Sequence, residues 1–365
     1  MTEAVLLVGG KGTRLRPLTV NTPKPMLPTA GVPFLLHVLA RAAAAGVDHV
    51  VLATSYRPEV FREGIGDGSA LALDGHRLRV DLLTEEVPLG TGGGIRNAAA
   101  LLDSGPDDPV VILNGDVLSG HDLAGQVRAH VDAGADATLH LTEVEDPRAF
   151  GCVPTDGDGR VTAFLEKTPT PVTNRINAGC YVFRRRVIDA IPGDRPVSVE
   201  RETFPAMVAS GSLVLGHLDP AYWLDLGTPA AFVQGSADLV RGRPPSPALP
   251  GPVGDCLVLP GGSVAGDASV TGGTTVGAGA VVGPGATVEG SVLLDGAVIG
   301  GGAVVRRSVV GASARVGEGA VLDGAVVGDG AVVGAGNELA PGVRVWCDVT
   351  IPPYAIRFSP DEAPA

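Results

Sequence analysis

From Val258 onward an aliphatic residue returns at every sixth position: Val258, Val264, Val270, Val276, Val282, Val288 and Leu294. A slip follows, then Val304, Val310, Val316 and Leu322; after a second slip come Val327, Val333, Leu339, Val345 and Ile351. Gly, Ala and Asp fill the positions between them. Few folds accept this pattern. It suits a chain wound into flat coils that stack, each inward aliphatic resting on the one a coil earlier. A disordered glycine-rich tail would not keep its aliphatics in phase. The repeat therefore predicts a left-handed parallel β-helix over residues 253–355, followed by a tail over 356–365.

A proline-rich bridge, RGRPPSPALPGP at 241–252, separates this repeat from a first half with different grammar. There HVVLATSY (49–56), VVILNGD (110–116) and ATLHLTEV (137–144) have the composition of strands. PFLLHVLARAAAAG (33–46) and GIRNAAALLD (94–103) have that of helices. Such alternation predicts an α/β domain over 1–240 with a Rossmann-like, mostly parallel sheet. Ligands of such sheets bind beyond the carboxyl ends of the strands. β-Helices often serve acyl transfer, which usually relies on a histidine base. All seven histidines here lie at or before His217, so the β-helix has none. An assembly or regulatory role suits it better.

The first strand, Ala4–Val8, runs into VLLVGGKGTRLRPLTVNTPKPMLP. Gly9, Gly10 and Gly12 allow a tight turn with exposed N–H donors, a cradle for an anion. Arg14, Arg16 and Lys24 add positive charge. The stretch is not a P-loop, because no Gly-Lys-Ser/Thr follows at the required spacing. It also lacks the third glycine of the dinucleotide fingerprint. What remains is a phosphate-handling loop on another plan, with Arg16 expected as a surface charge.

Composition narrows the partners. Net charge is −13, which argues against a general nucleic-acid surface. Gly9 interrupts the first apolar run, so no signal peptide is expected, and no later run is long enough to span a bilayer. Cys152, Cys180, Cys256 and Cys347 show no metal-ligand spacing. Free thiols in a reducing cytoplasm are expected.

Gly9-Gly10-x-Gly12-Thr13-Arg14-Leu15-x-Pro17-Leu18, followed by Pro23-Lys24-Pro25, resembles the signature of the sugar-nucleotide pyrophosphorylases. In detail the chain looks most like bacterial mannose-1-phosphate guanylyltransferases. The resemblance extends through the hexapeptide tail. It implies that Gly9, Gly10, Gly12 and Thr13 wrap a triphosphate, that Arg14 grips the departing pyrophosphate, and that Lys24 neutralises the α-phosphate. Arg suits paired phosphate oxygens and Lys a single one. Asp116 in VVILNGD and Asp225 in YWLDLGTP match the family's Mg²⁺ carboxylates; hard oxygen ligands suit that ion. Gly151 (after Phe150), Glu166 and Lys167 in FLEKTP, and Asn177 and Tyr181 in NAGCY match the sugar-phosphate pocket. Glu200 in VSVERETFP is either a further contributor or a helix-start glutamate.

The nucleotide side includes Gly90 and Thr91 in LGTGGG. Gly92 stands where relatives commonly have alanine, and it is expected to loosen that loop. Glu85, just before it, falls where the family reads the base. A carboxylate only accepts, which suits the paired donors of guanine. The implied reaction joins an NTP, with GTP favoured, to a sugar 1-phosphate, with mannose 1-phosphate favoured. Two alternatives remain: uridylyl or thymidylyl transfer to glucose 1-phosphate or a cyclitol phosphate, and a catalytically silent NDP-sugar-binding subunit. The side face of an aliphatic β-helix also predicts a homo-oligomer.

Overall fold

Strand Thr2–Leu7 runs between parallel neighbours, Val47–Thr54 on one edge and Pro109–Asn114 on the other, with Val5 level with Val51 and Ile112. A computed structural model describes residues 2–65, 70–73 and 75–357, so the expected tail lies outside them from 358 onward. His76–Thr84 extends the parallel set, and Arg175–Arg184 joins Pro109–Asn114 antiparallel, making a mixed sheet of ten strands. Strands covered on both faces need unbroken apolar runs. Val50–Leu52 and Val110–Ile112 supply them and are essentially fully buried. The expected helices form at Phe34–Ala44 and Gly90–Ala98, the second beginning earlier than its apolar pattern suggested.

The four parallel strands end side by side. Just beyond their carboxyl ends come Gly9, Ser55, Glu85 and Asp116. At the opposite end a buried polar clamp closes the sheet. Glu3 accepts from the backbone N–H groups of Asp103 and Ser104 at 3.0 and 2.7 Å, and it pairs with His49 at 2.7 Å.

The chain forms two compact units that cut across the segment 1–240. One contains the chain up to Gly10 with Val38–Trp223; the other contains Lys11–His37 with the chain from Leu224 onward. Side-chain chemistry explains the second grouping. Leu15, Leu18 and Leu27 form one buried cluster with Phe232 and Val233 of helix Pro229–Val240 and with Val292, Leu294, Val309 and Val326 of the coils.

Those coils are walled by three parallel sheets of six, six and five strands, the three faces of the expected left-handed β-helix. Val276 lies level with Leu293, Leu293 with Val310, and Val310 with Val327. The inward row therefore runs Val288, Leu293, Ile299, Val305, Val310, all nearly inaccessible. This corrects the six-residue count at two points. Leu293 and Val305 point inward, where Leu294 and Val304 were expected. In both places two aliphatics are adjacent, and periodicity alone cannot choose between them. Leu294 instead faces the cluster around Leu15.

The coils are shortened at one corner, where the step from Val288 to Leu293, from Val305 to Val310 and from Leu322 to Val327 is five positions in place of six. Buried hydroxyls stack there. Thr274 Oγ1 accepts from Ser291 N at 3.2 Å, Ser291 Oγ from Ser308 N at 3.2 Å, and Ser308 Oγ from Ala325 N at 3.0 Å. Backbone N–H groups at this corner thus find acceptors despite their burial. Among the described residues no helix is long and apolar enough to cross a membrane.

Candidate active site

The signature loop builds its own scaffold. Gly12 has φ +58°, and a Cβ there would lie 3.0 Å from Thr19 Cγ2 and 3.2 Å from Lys24 Cβ, so any side chain would be both strained and crowded. Thr19 Oγ1 donates to Gly12 O at 2.8 Å and ties the turn shut. The 3-10 turns Thr13–Leu15 and Lys24–Met26 follow, the second entered through Pro23 and carrying Pro25. They direct Arg14 and Lys24 to one carboxylate. Lys24 Nζ lies 3.6 Å from Asp225 Oδ1 and Arg14 Nη2 lies 4.0 Å from Asp225 Oδ2. Lys24 is largely buried, at 11% side-chain exposure, whereas Arg14 is 66% exposed. Gly227 gives Arg14 its room: a Cβ there would sit 2.5 Å from Arg14 Nη2. Arg16, expected as a surface charge, is half-buried, and its Nε is enclosed without a hydrogen-bond partner among the described residues.

In the other unit, the ends of the parallel strands approach closely because of glycine. A Cβ on Gly9 would meet Ser55 Oγ at 2.9 Å, and Ser55 Oγ donates to Gly9 O. A Cβ on Gly115 would meet Val8 Cγ1 at 2.6 Å, and Gly115 N donates to Leu7 O. Asp116 follows immediately, at the same end of the sheet as Gly9 and Gly10.

Glu85 is half-buried while Glu86 is exposed. Its Oε2 accepts from Leu89 N at 3.2 Å. Its Oε1 is buried with no hydrogen-bond partner among the described residues. Burial pushes this carboxyl above the usual carboxylate range, against the single bond from Leu89. A Cβ on Gly94 would lie 2.9 Å from Oε1, so that glycine makes space for it. An enclosed acceptor without a donor is an expensive feature unless a ligand supplies one.

The segment after Glu85 differs from expectation. LGTGGG is not a loosened loop; it opens helix Gly90–Ala98. Gly92 N and Gly93 N both donate to Val197 O, and a Cβ on Gly92 would meet Val197 Cγ1 at 2.9 Å. Gly92 is thus required by packing, and alanine would have to displace Val197. Gly90, at φ +75°, is still more confined: its Cβ would fall 2.5 Å from Val197 O. Thr91 Oγ1 donates to Glu200 Oε2 at 2.7 Å and accepts from Val199 N at 2.9 Å. Glu200 also accepts from Ser198 Oγ, so it is a buttress of this turn and not a free helix-start charge.

The expected sugar residues gather on adjacent strands. Gly151 is level with Glu166, and a Cβ on it would meet Phe164 and Glu166 Oε2 at 2.9 and 3.0 Å. Lys167, at φ +50°, places its Nζ 3.7 Å from Glu166 Oε1 and is 61% exposed. Asn177 Oδ1 accepts from Gly179 N at 3.0 Å, and its Nδ2 donates to Tyr181 OH at 2.7 Å. Tyr181 was expected to line the pocket, but it is fully buried between Phe183 and Phe204. Its hydroxyl orients Asn177 from behind. Trp223 is a residue that motif matching passed over. Its Nε1 donates to Ala178 O at 2.9 Å, and Phe150 packs edge-on against it at 5.3 Å. A lone tryptophan beside Asp225 was the available signal.

Comparison with known proteins fits this geometry. The nucleotidyl transferase family matches residues 3–242, and the GMPPB C-terminal domain matches residues 252–357. A mannose-1-phosphate guanylyltransferase of Mycobacterium tuberculosis is 56% identical over 360 residues, 98% of each chain. Mannose-1-phosphate guanylyltransferase 1 of Arabidopsis thaliana is 38% identical over 262 residues, 70% of this chain and 71% of that one. The crystal structure of HddC from Yersinia pseudotuberculosis superposes with a TM-score of 0.55 at 28% identity, covering 66% of this chain and all of that one. HddC has also been solved complexed with GMP-PN. With its signature loop, its glycine-confined strand ends and its hexapeptide coils, this chain belongs to the nucleotidyl transferase family, on the branch of the mannose-1-phosphate guanylyltransferases.

Proposed function

We propose that this enzyme joins GTP to mannose 1-phosphate, giving GDP-mannose and pyrophosphate, with its own residues in the following roles. An oxygen of the sugar phosphate attacks the α-phosphorus of GTP. The bond from that phosphorus to the α–β bridging oxygen breaks, and pyrophosphate leaves with the electron pair. The attacking monoester is already largely dianionic at neutral pH, so no general base is needed. Lys24 neutralises the α-phosphate and Arg14 takes the departing pyrophosphate, while the glycine turns at Gly9–Thr13 and Gly90–Thr91 present backbone donors. Rate enhancement then comes from positioning and charge.

Nucleotidyl transferases of this kind work with a divalent metal, and we assign that role to Mg²⁺. Asp116 and Asp225 would hold it; both offer hard carboxylate oxygens of the kind Mg²⁺ takes. Asp225 lies within 4.0 Å of both Lys24 and Arg14, so it stands where those cations meet. When bound, the ion would supply further charge neutralisation at the phosphate oxygens. Glu166 and Asn177 suit sugar hydroxyls, and Lys167 suits the sugar phosphate.

The observation that carries the guanine assignment is Glu85 Oε1, an enclosed acceptor lacking a donor among the described residues. Guanine presents N1–H and a 2-amino group side by side, whereas uracil and thymine flank one N–H with carbonyls. Pyrophosphate release should be measured with GTP, ATP, UTP and dTTP, each against mannose 1-phosphate and glucose 1-phosphate. Highest kcat/KM for dTTP or UTP would overturn the base assignment, and preference for glucose 1-phosphate would overturn the sugar. A silent regulatory subunit is disfavoured because Arg14, Lys24, Asp116 and Asp225 are all present. The free cysteines suit the reducing cytoplasm, and self-association is assigned to the side of the β-helix. Sedimentation of surface-charge variants on the coils tests that assignment; an unchanged oligomer would place the interface elsewhere.

A further inference from the structure

We infer that Arg344, on the β-helix, is a positioning residue for the phosphate-binding turn. Its Nη1 donates to Arg16 O at 2.9 Å, across 328 positions of sequence. The turn it grips carries Arg14. Within that turn Leu15 N donates to Gly12 O at 2.9 Å and Leu18 N to Leu15 O at 3.1 Å, so hydrogen bonds link the backbone from Gly12 to Leu18. Leu15 and Leu18, at 1% and 2% exposure, are the apolar footing of that segment on Val292, Leu294, Val309 and Val326. Apolar contact is non-directional and fixes depth. A charged donor aimed at one carbonyl fixes orientation and is among the stronger hydrogen bonds.

The surroundings single out Arg344. It lines a cavity of about 600 Å³ between helix Pro229–Val240 and the coils, together with Arg306 and Arg307. Arg306 faces Glu289 at 3.7 Å and Arg307 is held by both oxygens of Asp323. Those two arginines close ion pairs on the coils, whereas Arg344 reaches out to the turn. Cys347 Sγ adds a weak contact to Pro17 O at 3.9 Å, from the same end of the β-helix. Arg14 itself is mostly exposed, so its aim depends on what anchors its backbone.

The inference rests on the proposed role of Arg14, and its test separates the two. Full-length Arg344→Ala, Arg344→Lys and Arg306→Ala should be compared with wild type in the pyrophosphorolysis direction. For Arg344→Ala we expect KM for pyrophosphate to rise about tenfold, with KM for GDP-mannose unchanged. Arg344→Lys should recover part of that loss, and Arg306→Ala should behave as wild type. Hydrogen exchange should quicken at the amides of Leu15–Val20 in Arg344→Ala and not in Arg306→Ala. Faster exchange with unchanged pyrophosphate KM would keep the positioning of the turn and overturn the role of Arg14. Unchanged exchange and unchanged KM would overturn the inference. So would a loss matched by Arg306→Ala, which would mark a general effect of destabilising the coils.

Discussion

The sugar-side and phosphate-side residues are anchored by different physics. On the sugar and base side, each group is fixed by hydrogen bonds within its own unit: Asn177 by Tyr181 OH and Gly179 N, Thr91 by Glu200 and Val199 N. On the phosphate side, the turn carrying Arg14 is seated through Leu15, Leu18 and Leu27 on β-helix aliphatics. A sugar is discriminated hydroxyl by hydroxyl, which demands directional partners. A pyrophosphate is gripped by long cations, and these need a firm base more than a shaped wall. The contrast also appears in buried polarity. The first unit encloses His121, His130 and His140, whereas the coils contain no histidine.

That last contrast gives the largest expected effect. Burial holds His121 and His140, whose rings stack at 3.9 Å, down to about 3, and His130 down to about 4. Each is neutral when folded but binds a proton when unfolded below about pH 6.5, so stability falls as pH falls. The loss should approach roughly 1.4 kcal/mol per pH unit for each histidine, from about pH 6.5 down to the folded values. Thermal melts followed from pH 7 to 4.5 should show the first unit unfolding ahead of the coils. A single transition with pH-independent Tm would erase the contrast.

Next in size is Lys24→Ala. Removing a nearly buried charge at the α-phosphate should lower kcat on the order of 10²–10³-fold. KM for mannose 1-phosphate should barely move, because the sugar pocket is anchored separately. A KM rise matching the kcat loss would show that the two sides are not independent. Glu85→Gln probes the base side. Loss of a two-donor match should reduce the preference for GTP over UTP by about tenfold to a hundredfold. Because the native carboxylate is raised by burial, the amide should also leave stability at pH 7 equal or higher. Full retention of GTP preference would remove Glu85 from base recognition.

The smallest effect isolates the coils. Ser308→Ala would leave Ala325 N–H without its acceptor, costing about 1–3 kcal/mol. Kinetic constants should stay at wild-type values at 25 °C: Val309 beside it belongs to the Leu15 cluster, but the Ser308 hydroxyl itself bonds Arg306 O and Ala325 N within the coils. A drop in kcat would mean that the short corner communicates with the turn.

Much of this molecule was legible because its rules are local. The buried strands follow apolar runs such as Val110–Leu113, and the coils follow the period of six. Periodicity failed at Leu293–Leu294 and Val304–Val305, where adjacent aliphatics are equivalent until a neighbouring coil selects one. Gly92 was misjudged because its reason is Val197, a residue over a hundred positions away. Tyr181 matched a pocket motif, yet its ring belongs to the core and only its hydroxyl serves the site. Glu200 and Trp223 gave no local signal of their partners, Thr91 and the Ala178 carbonyl. Three-dimensional pairing, not composition, assigned each of these.

The seating of residues 11–37 on the coils has a consequence for how such chains can be recombined. A crossover in the proline-rich bridge looks harmless, since it joins two conventional modules at a linker. The resulting chimera would inherit Leu15, Leu18 and Leu27 from one parent and Val292, Leu294, Val309 and Val326 from the other. A mismatch there would surface as lost turnover in a protein that still folds. A productive exchange would move residues 11–37 together with everything from Leu224, so the heritable cassette is discontinuous in the gene although it is contiguous in space.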